Sequence, residues 1–257
     1  MIIDRIRAEA ETLGIAVTDL AARAGLSRAS AYRLMSGEIS PRLDDLRELA
    51  IAAGYDLDVR LVPLSDPAAA AAARILLGDR DLHAVTDSSG ADASIGTPLD
   101  VRAWIERLQR LTDGTPESII VAAGHAASLQ NRAGIQGLWA PSGFTIDRLV
   151  SAGRASRADW ALSGSAAFDA MGREAPGPTI LYTTDQRTIT QLLSDTFTVV
   201  DPRGAPLLVV EADRLTFSGA EAVEQVNLVT PTQAIVDAIG LGGRLAEVAL
   251  DAIREAR

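Results

Sequence analysis

The tightest constraint on what this chain can fold into lies in residues 17–41, Val-Thr-Asp-Leu-Ala-Ala-Arg-Ala-Gly-Leu-Ser-Arg-Ala-Ser-Ala-Tyr-Arg-Leu-Met-Ser-Gly-Glu-Ile-Ser-Pro. The pattern predicts a short helix, a tight turn at Gly25 and a second helix opened by a capping Ser27. Leu20, Ala21 and Ala24 fall on one face of the first helix, Ala31 and Leu34 on one face of the second. Two short helices sharing a small apolar seam across a glycine turn can present the second one outward to a DNA major groove. Sequence-specific DNA binding is therefore the first expectation.

Charge must be weighed against that expectation, because the whole chain of 257 residues carries a net charge of −10. The imbalance is uneven. Residues 26–42 hold Arg28, Arg33 and Arg42 against a single acid, Glu38, whereas residues 63–257 hold 16 arginines against 24 acids. A locally basic reading head on an acidic body is compatible with DNA contact and predicts weak non-specific binding, since few phosphates are neutralised. All 24 basic residues are arginine, which excludes Schiff-base and phosphate-loop lysines. Cysteine is absent, and the two histidines, His83 and His125, are far apart in sequence, so no metal site or disulfide is expected. No apolar run reaches about 18 residues and the start is charged and periodic, so neither a membrane span nor a secretory signal is expected, and the expected location is cytoplasmic.

Hydrophobic periodicity predicts helices over 2–13, 18–24, 28–35 and 42–53, punctuated by Gly14, Gly25, Gly37, Pro41 and Gly54. Leu57, Val59 and Leu61 alternate with charges, which predicts a short strand over 56–62 able to pair with its own copy or with the rest of the chain. An alanine-rich helix over 68–77 and a linker or exposed loop over 78–98 follow. Helices are predicted at 99–111, 116–130 and 145–153. From Trp160 the pattern alternates: strands at 160–162, 179–183, 196–200, 207–211 and 225–228, helices at 164–171 and 186–193, and closing helices at 230–239 and 244–255. An α/β module after an all-α head is the expected layout.

The head resembles the Cro/Xre-type helix-turn-helix family through Leu20-Ala21, Ala24-Gly25-Leu26-Ser27, Ser30-Ala31, Leu34, Gly37, Ser40-Pro41, Leu46, Leu49-Ala50 and Gly54. The resemblance covers about the first 62 residues. It implies that Arg28, Ala29 and Arg33, at the start of the second helix, face bases. Either arginine can donate bidentately to guanine, at roughly 1–3 kcal/mol of discrimination, and Ala29 can meet a thymine methyl. Ser27, Ser30, Ser36 and Arg42 would lie near phosphates and set the register. Such modules usually work as dimers on two half-sites.

From about Leu99 the chain resembles AbiEi-family antitoxins, the regulator halves of type IV toxin–antitoxin pairs whose toxin is a nucleotidyltransferase. The likeness rests on Trp160-Ala161-Leu162-Ser163-Gly164-Ser165-Ala166-Ala167, on Val229-Thr230-Pro231-Thr232-Gln233-Ala234-Ile235-Val236-Asp237, on Leu241-Gly242-Gly243-Arg244 and on the last alanine-rich helix. One departure stands out: those antitoxins carry a winged head, whereas this head is of the Cro/Xre type. The same region resembles a stripped nucleotidyltransferase core, with Gly164-Ser165, a helix, and a strand 179–183 in which Leu181 and Thr183 occupy the places of the two metal-binding carboxylates. Without that pair, two divalent cations cannot be clamped on a triphosphate, so a catalytically silent body is expected. Asp185 just beyond reads as a helix N-cap.

Other chemistry-bearing residues have plainer readings. The carboxylates of Asp56 and Asp58 keep an edge soluble. Gly240-Leu241-Gly242-Gly243 joins two helices with no strand before it to aim phosphates. His125 has no acid partner nearby in sequence, and Ser163 and Ser165 lack the Gly-x-Ser-x-Gly elbow.

Together these readings predict an α+β multidomain chain. An all-α helix-turn-helix domain spans 1–63, a helix plus linker 64–98, and an α/β regulatory domain resembling a degenerate nucleotidyltransferase core 99–257. The expected activity is non-enzymatic and needs no cofactor: an autorepressor bound to its own operon's operator DNA, acting as a homodimer. It would serve as antitoxin to a nucleotidyltransferase toxin, by direct contact or through a shared target. The alternative is a one-component regulator whose α/β domain senses a small ligand in an apolar concavity.

Overall fold

Residues 2–82 and 98–255 are described by the computed structural model, and the chain divides into two units, residues 1–62 and 63–257. The first unit is helical: α1 (Ile2–Thr12), α2 (Val17–Arg23), α3 (Arg28–Met35) and α4 (Leu43–Ala52). Their boundaries lie within about two residues of those expected, because each is written locally by a cap or a glycine. Ile3, Ile6, Ala10, Leu20, Ala24, Leu34, Met35, Leu49, Ala50 and Ala53 form the core of this unit. Gly25 closes the turn at φ +67°, a conformation that L side chains rarely adopt. Tyr55 donates its hydroxyl to Glu9 at 2.8 Å, tying the end of α4 back to α1.

The strand expected over 56–62 is not formed. Its alternation is real, but no other strand exists in this helical unit among the described residues, and a strand without a partner leaves its backbone groups to water. Leu57 alone packs on the head core, and Val59, Leu61 and Val62 are exposed.

The second unit opens with α5 (Pro67–Leu76), which the sequence set apart together with the linker and which is instead embedded in the body. Asp66 caps it, accepting from the Ala68 amide at 3.0 Å, and its second oxygen accepts from Trp104 Nε1 at 2.6 Å. Ala68 to Ala73 are all buried, so the alanine run is a close-packing surface between helices, against α6 (Pro98–Leu111) and α7 (Pro116–Ala126). Most of the loop expected at 78–98, residues 83–97 with His83, lies outside the described residues. Of its described part, Leu82 is fully buried and Asp79 holds Arg74.

A mixed seven-stranded sheet follows, in the order β4-β1-β5-β3-β2-β7-β6. Its strands are β1 (Gln136–Trp139), β2 (Trp160–Gly164), β3 (Thr179–Thr183), β4 (Thr198–Val200), β5 (Leu207–Glu211), β6 (Glu221–Val223) and β7 (Val226–Leu228). The parallel pairs are β3 with β5 and β2 with β7, and the remaining neighbours are antiparallel. Every residue of β2 and β3 is buried, so both faces of the sheet centre are covered. The intervening helices are α8 (Ile146–Ser156), α9 (Ser165–Ala170), α10 (Gln186–Leu193) and α11 (Arg214–Phe217), and the closing pair is α12 (Pro231–Leu241) and α13 (Gly243–Glu255). Strands β1 and β6 and helix α11 have no counterpart in the sequence reading, and the helix expected to run to 130 stops at Ala126, before a 3₁₀ turn at Leu129–Asn131. Helices α7 and α12 touch at Gly124 and Gly240, where a Cβ on Gly240 would lie 2.7 Å from the Gly124 carbonyl oxygen.

Candidate nucleic-acid interface

Helix α3 begins at Ser27, whose Oγ accepts from the Ser30 amide at 3.1 Å and lies 2.8 Å from the Ser30 hydroxyl. Ala31, Leu34 and Met35 bury the inner face against the head core. The periodicity that hides those three residues turns Arg28, Ala29, Tyr32, Arg33 and Ser36 outward, and all five are exposed. Neither Arg28 nor Arg33 has an ion pair or side-chain hydrogen-bond partner among the described residues. The same holds for Arg42, exposed at the N-cap of α4. Arg7, Arg47 and Arg60 of the same unit lie within ion-pair distance of Asp4, Asp56 and Asp58, whereas Arg5 and Arg23 are exposed without such a partner among the described residues. Two guanidinium groups on α3 and one at the N-cap of α4 are therefore uncommitted, and α3 itself contains no acid.

The serines are differently placed. Ser27 and Ser30 are engaged with each other, and Ser36 Oγ donates to the Arg33 carbonyl at 3.2 Å. Their hydroxyls already complete the helix ends, at about 1 kcal/mol for the N-cap. A phosphate contact from any of them requires a shared or rotated hydroxyl. Arg42, in contrast, is open to any partner.

Tyr32 was missed by the sequence reading. It stands 54% exposed one turn after Arg28, between the two arginines. Its signal was present: a large aromatic at a position that the apolar seam leaves outside. A phenol there offers a flat apolar face and a hydrogen-bond donor beside the two arginines.

The body also gathers polar groups that the sequence reading did not. Asp237 of α12 is buried and accepts from Ser163 Oγ at 2.6 Å, Tyr182 Oη at 2.9 Å and Gln233 Nε2 at 2.9 Å. Burial raises the Asp237 carboxyl above the usual carboxylate range against these three donors, and burial first, then the Asp237 charge, pushes the Tyr182 phenol well up. Beside them a cavity of about 10 Å³, lined by Arg132, Tyr182, Asp213, Gln233 and Asp237 among others, has room for about one water. Ser163 is thus a donor inside a closed network, and Ser165 lies 2.9 Å from the Thr179 hydroxyl. Leu181 and Thr183 are fully buried. Asp185 caps α10, accepting from the Thr188 amide at 2.9 Å and its hydroxyl at 2.6 Å, which holds its pKa down. His125 is exposed on α7. No group of three or more His, Asp or Glu side chains placed to hold a metal occurs among the described residues. No helix among them is long and apolar enough to cross a membrane.

A family model described as helix-turn-helix matches residues 6–59, from within α1 through α4 and into the strand-patterned segment. No curated protein and no solved structure matches the chain. The head is thus a helix-turn-helix of a kind that suggests a DNA-binding regulator, followed by an α/β region with a mixed sheet.

Proposed function

We propose that the protein is a sequence-specific repressor of its own operon that binds operator DNA as a dimer through α3, with Arg28, Ala29, Tyr32 and Arg33 toward base edges and Arg42 toward a phosphate. The observation that carries this reading is the exposed, acid-free face of α3, whose two arginines have no intramolecular partner. Exposed arginines without partners contribute little to stability, so their affinity for a duplex is not offset by the breaking of internal ion pairs.

Within the same reading the body is the catalytically silent, nucleotidyltransferase-like half of a type IV antitoxin whose partner is a nucleotidyltransferase toxin, countered by contact or through a shared target. Leu181 and Thr183, which on this reading take the places of the metal-binding pair, are both buried and uncharged, in accord with a silent body. The ligand-sensing alternative is favoured less. An open depression of about 460 Å³ at the ends of β3 and β5 is lined by Gln136, Thr184, Asp185, Gln186, Arg187 and Glu211 among others, all of polar residue type, and is not an enclosed apolar concavity.

The test is a footprint on DNA upstream of the protein's own gene at fixed salt. Arg33→Ala is expected to weaken protection by roughly ten- to a hundredfold, from about 1–3 kcal/mol per lost base contact, with the thermal midpoint unchanged. Unchanged protection removes α3 as the reading helix. Rescue of growth from a toxin encoded by a neighbouring frame tests the antitoxin half, and repression without rescue leaves only the repressor.

A further inference from the structure

Residues 57–62 pose a specific question: why a strand-patterned segment should be left without a partner. Leu57, Val59 and Leu61 alternate with Asp58, Arg60 and Val62. The backbone makes no hydrogen bond from Asp58 to Pro63 among the described residues. Val59 is 59% exposed, Val62 79% and Leu61 102%, so the apolar positions cover nothing. Arg60 turns back on Asp58 of the same chain, Nε to Oδ2 at 2.7 Å, both side chains being largely exposed. Leu57 alone is rooted, packed against the head core.

We propose that residues 57–61 pair antiparallel with the same residues of a second copy, in the register that sets Val59 opposite Val59. This deepens the dimer reading of the head and rests on it. Opposite residues of an antiparallel pair share a face. With Val59 at the centre, Leu57 stands opposite Leu61 of the partner, and Asp58 stands opposite Arg60, twice over. One face of the ribbon is then wholly apolar and the other carries two cross-strand ion pairs. No neighbouring register does this. Centring on Asp58 or Arg60 sets a like-charged residue against itself, a one-residue slip places charges among the apolar side chains, and a parallel in-register pair brings like charges together. An isolated two-stranded ribbon is marginal. Here each Leu61 comes to lie beside a Leu57 that is already packed on a head core, so the apolar face is continued by that core rather than left in water. The switch of Arg60 from its own Asp58 to the partner's preserves the ion pair while the backbone groups that face the partner gain hydrogen bonds.

The chain contains no cysteine, so any introduced thiol is unique. The full-length protein, without DNA, is examined by sedimentation equilibrium and by mild oxidation of Val59→Cys and Leu61→Cys. Val59→Cys is expected to form a covalent dimer. Leu61→Cys is expected to remain uncrosslinked, since its own copy lies four residues along the strand, beyond disulfide reach. Arg60→Asp is expected to weaken the dimer about tenfold or more, by turning two attractive cross-strand pairs repulsive. Adding Asp58→Arg is expected to restore it. Equal crosslinking of both cysteine variants, no crosslinking of Val59→Cys, or indifference to Arg60→Asp overturns the ribbon. A monomer that still protects the operator removes the ribbon and the dimer and leaves operator binding through α3 standing. A dimer linked through Val59 that protects no operator does the reverse.

Discussion

Replacing Arg74 by methionine tests whether α5 belongs to the body. Arg74 is fully buried, with Nε and Nη2 on Asp79 Oδ2 at 2.9 and 2.6 Å, Nη1 on the Leu215 carbonyl at 2.8 Å and Nη2 on the Ser218 carbonyl at 2.5 Å. Methionine keeps the apolar stem and removes every donor. Asp79, whose side chain is 14% exposed, keeps the Leu82 amide at 3.1 Å but loses its cation, and two carbonyls lose the guanidinium. Each stranded acceptor costs about 1–3 kcal/mol, and removal of one partner from a buried pair costs about 3–5 kcal/mol in all. A loss of about 4 kcal/mol is expected. The pair of Arg173 and Glu255 has the same 2.6 Å separation but 32% and 65% exposed side chains, so Arg173→Met should cost only about 0.5 kcal/mol. Burial, not distance, decides the difference. Trp104, Trp139 and Trp160 all lie in residues 63–257, so tryptophan fluorescence in urea follows the body alone. With a slope of about 2 kcal/mol/M, the Arg74→Met midpoint should fall by about 2 M. A fall under about 0.3 M at unchanged slope would refute the reasoning and return residues 67–76 to the status of a linker.

The same assay carries two further predictions. Because burial raises the Asp237 carboxyl in the folded state, that group's contribution to stability is present below its ordinary pKa of 3.8 and is lost as pH rises through the higher folded value. Asp237→Asn should therefore flatten the decline in body stability as pH rises above 3.8, and a variant with the parental pH profile would show that the carboxyl is not raised. Gly124→Ala places a Cβ 2.6 Å from Ile239 Cγ2 and 2.9 Å from the Val236 carbonyl oxygen. Alanine gains about 1 kcal/mol in helix propensity, but overpacking against a backbone atom costs about 1–3 kcal/mol, so a net loss of up to about 2 kcal/mol is expected, and a rise in the urea midpoint would contradict the close approach of α7 and α12.

The head was legible because its signals are local. Ser27, Gly25 and the seam of Leu20, Ala24, Ala31 and Leu34 fix two helices and their crossing within a few residues, and the faces left over name Arg28 and Arg33 as outward. Tyr32 could have been read from the same wheel. Strand β1 was not legible: four residues containing Gly137 carry little periodicity, and they become a strand only between β4 and β5. The segment at 56–62 shows the converse, a pattern without a partner.

Asp237 marks the division most plainly. In sequence it is one acid in the apolar run Ala234-Ile235-Val236-Asp237-Ala238-Ile239. Only folding brings Ser163 of β2, Tyr182 of β3 and Gln233 of its own helix to its two oxygens. The chain by itself determined which stretches of the head are helical and which face of α3 is free, since caps, turns and periodicity act over a few residues. The tertiary structure alone decided that the alanine helix belongs to the body, which strands are neighbours and which buried charges are satisfied, because a sheet register and a polar network are contacts between residues that sequence spacing does not relate.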